Sequence, residues 1–193
     1  MLIALFFYTL SNLILPSNPG LFTSDLLNWD TDRVGVLFSI FGVASIVVQA
    51  GILQFLLKRV SVRRVTLIGI GFTVGSFVLV ALVVPTGTAA LLYLRVIVFA
   101  FGDGFTSPLL LDLITRGTDE RSQGKVQGGS QSIQSLANIT GPLLAGALYD
   151  HLGHASPYVG GAGIALLAFG AVVIALPALN LVAGAVAPIS DKV

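Results

Sequence analysis

The sequence predicts an all-α integral membrane protein, a bundle of six transmembrane helices. Three observations predict it. Hydrophobic residues make up 55% of the chain and charged residues 10%, with a mean hydropathy of +0.94, against about 25% charge in a soluble domain. Apolar stretches of bilayer length alternate with polar breaks along 193 residues, enough for six spans of about 20 residues with short loops but not for twelve. Lys and Arg gather in alternate breaks, the asymmetry that sets membrane orientation.

The spans are expected at roughly 1–24, 33–57, 63–84, 89–114, 122–148 and 156–181, which together form one bundle over 1–182 and leave a short cytoplasmic tail at 183–193. The first, beginning MLIALFFYTLSNLILP, has no positive n-region and no A-x-A-like cleavage site, so it reads as a retained span rather than a signal peptide. Asn12, Pro16, Asn18, Pro19 and Gly20 interrupt it. Transporters build sites at proline-broken helices, and a kink with satisfied amides is the other reading. Asp30 and Thr31 are candidate caps for the second span, in which Gly42, Ser45 and Gln49 share a face. Ser61 is placed to cap the third span, which is expected to end in a turn at Pro85, Thr86 and Gly87. Ser156 followed by Pro157 reads as a cap with proline at the first position of the sixth helix.

The fourth span holds Arg95 and Asp103, the ionisable residues well inside the membrane. Such charges are functional hypotheses by default. They lie about 12 Å apart along the axis and about 80° around it, too far for a snug pair on one helix. Asp103, between Gly102 and Gly104 and ahead of Pro108, is placed in a deformable stretch. Burial raises a carboxyl pKa, which suits a group that takes and releases a proton, and a structural hydrogen-bonding role is the alternative. Arg95 is near enough to the outer end to snorkel.

The fifth span carries Gln127, Gln131, Gln134 and Asn138 at i, i+4, i+7 and i+11, a stripe within about 60°. Unpaired amides in hydrocarbon cost several kcal/mol each, so the stripe lines a wet cavity or a polar seam between helices. It continues into Gly141-Pro142-Leu143-Leu144-Ala145-Gly146, and Gly124, Gly128 and Ser132 form a small-xxx-small row. Small residues admit a neighbouring helix and the proline permits a kink. The segments VTLIGIGFTVGSFVLVALVV of the third span and YVGGAGIALLAFGAVVIALP of the sixth contain neither charge nor amide. The simplest arrangement puts the other four around a polar centre with these two facing lipid.

Orientation follows from the basic residues. Lys58, Arg59, Arg63 and Arg64 occupy one loop, Arg116, Arg121 and Lys125 another, and Lys192 the tail, whereas Arg33 alone lies opposite. Both termini are therefore expected in the cytoplasm.

Composition also excludes functions. A net charge of +1 without a basic face gives no footprint for nucleic acid. The absence of cysteine removes disulfides and thiol chemistry. No nucleophile–base pair and no metal cluster is present, so neither an enzyme nor a cofactor is expected. Gly102-Asp103-Gly104 is no nucleotide fingerprint, the sequon at Asn138 lies within the bilayer, and His151 and His154 read as solvated loop residues.

Two stretches carry a family resemblance. DERSQGKVQGGSQSIQSLANITGPLLAGALYD (Asp119 to Asp150) resembles the eleventh helix of major facilitator superfamily transporters of the drug:proton antiporter branch. NWDTDRVGVLFSIFGVASIVVQAGILQFLLKRVSVRRVTLIG (Asn28 to Gly69) resembles that branch's seventh-to-ninth helix region. The likeness is closest to the C-terminal half of tetracycline exporters and runs roughly from Leu2 to Leu152. Gly128, Ala137, Gly141, Pro142, Ala145 and Gly146 follow the spacing of the family's antiporter motif, with alanine at two expected glycines. The loop from Gln54 to Arg64 looks like a degenerate second copy of the cytoplasmic gating motif, keeping Arg59, Arg63 and Arg64 but having Gln54, Lys58 and Ser61 where the fuller copy has glycine, aspartate and glycine.

The resemblance implies a six-helix bundle equivalent to one half of a major facilitator superfamily fold, in the inner membrane. Its implied work is proton-coupled efflux of a small organic molecule, with Asn12, Asn18, Gln49, Gln127, Gln131, Gln134 and Asn138 lining the cavity and Asp103 the candidate proton carrier. A lone half cannot alternate access, so the implied partners are a second copy of the chain or a separate N-terminal half, beside the lipid bilayer, the substrate and the proton. The alternative is a non-transporting membrane scaffold or an inactive transporter fragment.

Overall fold

The computed structural model describes the backbone of residues 2–14, 23–24, 27–116, 122–153 and 156–185, and these are helices joined by short turns. We label them α1 (Leu2–Ile14), α2 (Thr31–Leu57), α3 (Val62–Thr86), α4 (Ala89–Arg116), α5 (Gln123–Leu152) and α6 (Ser156–Ala185). Within α2 the segment Val47–Ile52 winds as a π-helix, a feature that the apolar pattern of the sequence did not announce. The interruption expected at Pro16, Asn18, Pro19 and Gly20 lies outside the described residues, as do Arg121, His154 and Lys192.

Three of these helices are long and apolar enough to cross a bilayer, at Thr31–Leu57, Val62–Val83 and Ala89–Thr115. Leu2–Ile14 and Val159–Ala175 are shorter apolar stretches. α5 has 30 residues, about 45 Å of helix, but its amides and serines keep it out of that apolar class among the described residues.

The breaks follow local chemistry, with some differences from expectation. Asn28 takes a left-handed conformation (φ 51°), its N–H bonded to Ser24 O and that of Trp29 to Thr23 O, the pattern that closes a helix C-terminus. Asp30 then caps α2, its carboxylate accepting from the Arg33 N–H at 3.1 Å; Thr31 is already the first helical residue. Ser61 stands before α3 without a side-chain cap bond. Pro85 and Thr86 stay inside α3, which ends instead at Gly87, whose φ of 59° suits glycine. Ser156 is no cap: its hydroxyl donates back to the Leu148 and Gly153 carbonyls at 2.6 and 2.8 Å, tying α6 to the end of α5.

α3 lies along α4 on one side and α6 on the other, α1 packs between α5 and α6, and α2 rests on α4. The expectation that the third and sixth spans face lipid around four polar helices therefore needs correction. One stripe of α3 (Val65, Ile70, Thr73, Phe77, Val80) is buried core, and the opposite stripe (Ile68, Phe72, Val78, Leu82) is exposed. Both recur at helical spacing, so α3 is two-faced although both faces are largely apolar, and its buried face carries the hydroxyls. Its buried hydroxyls return to their own helix: Thr66 to Val62 O, Thr73 to Gly69 O and Ser76 to Thr73 O. That satisfies polar groups in a setting with no water. α6 turns Ala165, Ala168 and Val172 inward, and a side chain at Gly161 would meet the Phe77 ring. α2 buries little, Leu37 being the buried residue of Thr31–Ile46.

Candidate functional site

Asp103 is the centre of the best-defined polar cluster. Its neighbours explain the Gly102-Asp103-Gly104 sequence. Three successive helical residues point about 100° apart. On the Gly102 side, a Cβ would lie 2.5 Å from Thr73 Oγ1 and 2.7 Å from Thr73 N, so only glycine lets α3 approach. On the Gly104 side, a Cβ would lie 2.7 Å from Val48 Cγ1, so glycine there admits the π-helical segment of α2. Between them Asp103 faces α1. The glycines thus serve close approach rather than deformability, and α4 runs continuously through them and through Pro108.

Three donors meet Asp103 Oδ1: the Tyr8 hydroxyl at 3.2 Å, Asn12 Nδ2 at 3.2 Å and the Ser107 hydroxyl at 2.7 Å. Tyr8 and Asn12 sit one turn apart on α1, and Ser107 one turn beyond Asp103 on α4, the spacing that brings side chains together on a helix face. Tyr8 is almost wholly buried, within the cluster of Ala4, Leu5, Ile70, Leu110 and Ile114 that seats α1. Thr73 and Thr106 lie beside its hydroxyl. Asp103 is half-buried and Ser107 exposed, so the carboxylate spans the boundary between core and open surface. Of the expected residues, Asn12 and Asp103 are brought together. Gln49 is close by: it is exposed on the π-helical segment, and its Cγ would lie 3.4 Å from a Cβ at Gly104. Tyr8, Ser107 and Thr106 were missed, although Tyr8 lies four residues before Asn12 and Ser107 four after Asp103.

On α5, Gln127, Gln131 and Asn138 are exposed and Gln134 half-buried. The buried seam of that helix is Ser130, Ala137, Gly141 and Ala145, whose centre lies about 50° from the centre of the amide stripe. The stripe therefore runs beside the α1 contact rather than inside it. Gly141 is a close-packing position, since a Cβ would lie 2.8 Å from Leu13 Cβ. Gly124, Gly128 and Gly146 have nothing within 4 Å of a Cβ, so the expected packing role of Gly128 and Gly146 is not met by any described helix of this chain. Pro142 is exposed and α5 continues across it.

Arg95 lies with its guanidinium 5.1 Å from the Phe99 ring centre, and Phe99 stacks on Phe41 of α2, so a cation–π contact supports the charge. Lys58 and Arg59 in the turn after α2 are exposed, as is Arg64 in the first turn of α3, where Arg63 is half-buried, and Arg59 lies over Phe55 at 4.8 Å. Asn18 lies outside the described residues. A groove of about 510 Å³ between α2 and α4, lined by Val36, Ile40, Val43, Val47, Ile97 and Phe101, is apolar and separate from the Asp103 cluster. Among the described residues no group of three or more His, Cys, Asp or Glu comes together.

The described residues thus hold an exposed amide stripe on α5 and a carboxylate on α4 bonded to α1, in a bundle with three helices long and apolar enough to cross a membrane. The family model of the Major Facilitator Superfamily matches residues 1–190. The chain belongs to this superfamily. Among its relatives is the tetracycline resistance protein, class C, of Escherichia coli, 27% identical over 129 residues, covering 67% of this chain and 32% of that protein. The class D protein of Salmonella ordonez is 28% identical over 130 residues, with the same shares. The human Hippocampus abundant transcript 1 protein is 24% identical over 129 residues, 67% of this chain and 26% of its own length. The chain thus spans about a third of the length of the tetracycline resistance proteins it matches. The resemblance drawn from the Asn28–Gly69 and Asp119–Asp150 stretches is borne out, and the major facilitator chain is an integral membrane helical bundle of a transporter family.

Proposed function

We propose that this chain forms one six-helix half of a proton-coupled efflux transporter for a small organic molecule. The observation that carries the reading is Asp103, an ionisable side chain in a bilayer-length helix, bonded to Tyr8 and Asn12 of another helix. A carboxylate so placed changes its hydrogen bonds to α1 when it gains a proton, which gives protonation a mechanical consequence. Ser107, exposed and bonded to the same oxygen, offers the proton a route from the open surface. Asn12, Gln49, Gln127, Gln131, Gln134 and Asn138 are the polar lining of one cleft wall, with Asn18 assigned there by sequence.

A second half completes the cleft, as a second copy of the chain or as a separate N-terminal bundle, because alternating access needs two bodies that rock against each other. The open rows at Gly124, Gly128 and Gly146 are where that body packs. The basic residues Lys58, Arg59, Arg63 and Arg64 support a reading with both termini in the cytoplasm and the bundle in the inner membrane. The tetracycline resistance proteins among the relatives suggest a drug or drug-like metabolite as cargo.

The test is substrate-driven proton movement in native membrane vesicles, in which the chain stands with its second half. Wild type is expected to couple the two fluxes, Asp103→Asn to lose proton movement while still assembling in the membrane, and Ser132→Ala to behave as wild type. Proton coupling that survives Asp103→Asn contradicts the assignment.

A further inference from the structure

We propose that the groove between α2 and α4, together with the basic turn at its end, binds one anionic phospholipid, with an acyl chain in the groove and the phosphate at Arg59. α2 is long and apolar enough to cross a membrane, yet 17% of its most apolar stretch is buried in the bundle, against 44% and 50% for α3 and α4. The groove of about 510 Å³ runs along it from Val36 to Ile52, about 24 Å of helix. Val43, Ala44, Val47 and Ile52 form one wall, and Ile97 and Phe101 of α4 contribute the other. Ser39 also reaches the lining, but its hydroxyl donates to Gly35 O at 2.9 Å. The groove therefore asks nothing polar of its occupant, which suits a hydrocarbon chain.

The end of the groove selects the headgroup. Ile52 and Phe101 pack against the same buried cluster as Val60 and Val62, so the groove ends beside the turn between α2 and α3. That turn and the first turn of α3 carry Lys58, Arg59, Arg63 and Arg64 with no acidic residue among them. A basic cluster of this kind at the end of a span attracts anionic lipid. Arg59 is the best placed of the four. Seven residues beyond Ile52, it continues the stripe that lines the groove, and its guanidinium rests over the Phe55 ring at 4.8 Å. A guanidinium held by its face keeps its N–H edges for a phosphate. Depth agrees with this placement. Arg59 lies about 10 Å along the axis from Ile52, and the headgroup layer is about 5–8 Å thick. With Arg59 in that layer, Ile52 lies just inside the hydrocarbon and Val43 and Ala44 near the bilayer midplane, so this stretch of groove is one leaflet deep. The groove and the amide face of α5 belong to different seams, since α2 rests on α4 and α5 packs mainly on α1. The lipid site needs neither a second half nor proton coupling.

The experiment is native mass spectrometry of the purified, delipidated full chain in detergent. It is titrated with phosphatidylglycerol, with phosphatidylcholine of the same acyl chains, and with glycerol 3-phosphate as a headgroup without a tail. One phosphatidylglycerol per chain is expected to bind, on the order of tenfold tighter than phosphatidylcholine, the worth of one charge-assisted contact, and glycerol 3-phosphate is expected not to bind. Arg59→Gln should remove the preference and leave both lipids bound equally weakly. Ala44→Phe, which fills the groove, should weaken both lipids, and Val78→Phe on the exposed stripe of α3 should change nothing. If Ala44→Phe does not fold, Arg59→Gln, at an exposed position, decides. Equal binding of the two lipids by wild type, a preference that survives Arg59→Gln, or undiminished binding to Ala44→Phe overturns the site. Binding of glycerol 3-phosphate as tight as that of the lipid would reduce it to an anion site, and a dimer that excludes the lipid would assign the groove to a second copy of the chain; either result overturns it. None of these outcomes involves Asp103, so the transport reading stands or falls separately.

Discussion

The seam between α3 and α4 and the outer face of α5 treat polarity in opposite ways. In the seam, Thr66, Thr73 and Ser76 are buried and bond to carbonyls of their own helix, and Gly69 and Gly102 bring the two backbones into contact. On α5 the polar groups are larger and more numerous, yet Gln127, Gln131 and Asn138 are exposed, and the buried positions are the small Ser130, Ala137, Gly141 and Ala145. A soluble protein hides its apolar side chains and shows its polar ones to water. Here the buried seam is held by size and close approach, and the amides stand on a surface that hydrocarbon would penalise. The difference separates what holds the bundle together from what it presents to a partner or a substrate.

Variants paired across the two regions test that separation. The largest effect is expected from Phe77→Ala, which empties a fully buried ring site against Gly161; it should cost about 3–5 kcal/mol, against much less for Leu82→Ala on the exposed stripe of the same helix, measured as unfolding in a denaturing detergent titration. Gly102→Val comes next. Its side chain meets the backbone and hydroxyl of Thr73, and overpacking of that kind should remove about 1–3 kcal/mol, whereas Gly128→Val, with open space around it, should be near neutral. Tyr8→Phe removes one hydrogen bond to Asp103 and should lower stability by about 0.5–1.5 kcal/mol while weakening proton coupling. The smallest effect on stability belongs to the double variant Gln131→Ala, Gln134→Ala, expected within about 0.5 kcal/mol of wild type but with transport impaired. A double variant as destabilising as Phe77→Ala would erase the distinction between the two regions.

Much of this was legible in the sequence, for identifiable reasons. Composition and the polar breaks located the helices because bilayer thickness fixes their length, and Asp30 and Gly87 marked boundaries through local chemistry. Asn12 and Asp103 were recognisable because polar side chains in apolar helices need partners. The pairing of those two was not, since nothing local says which helix lies against Asp103. Tyr8 and Ser107 were hidden for a related reason: a tyrosine or serine is unremarkable in a membrane helix until a carboxylate is found opposite. The assignment of α3 to lipid covers only its outer stripe, because the absence of charge and amide was read as exposure of the whole helix and its other stripe is buried core. A helix whose one stripe carries no polar side chain beyond Thr and Ser can be core along that stripe when glycines let its neighbours close in. The π-helical turn at Val47–Ile52, which carries Val48 against Gly104, has no sequence signature of its own.

The central claim is that the amide face of α5 meets water while the outer face of α3 meets lipid. Single cysteines at Gln127, Gln131, Gln134 and Asn138, and at Ile68, Phe72, Val78 and Leu82, can be probed in native membrane vesicles with a charged, water-soluble thiol reagent. The chain has no cysteine of its own to interfere. The account predicts labelling at the α5 positions, Gln131 and Gln134 above all, reduced when transported substrate is added, and protection at all four α3 positions. Equal protection of both sets would contradict it.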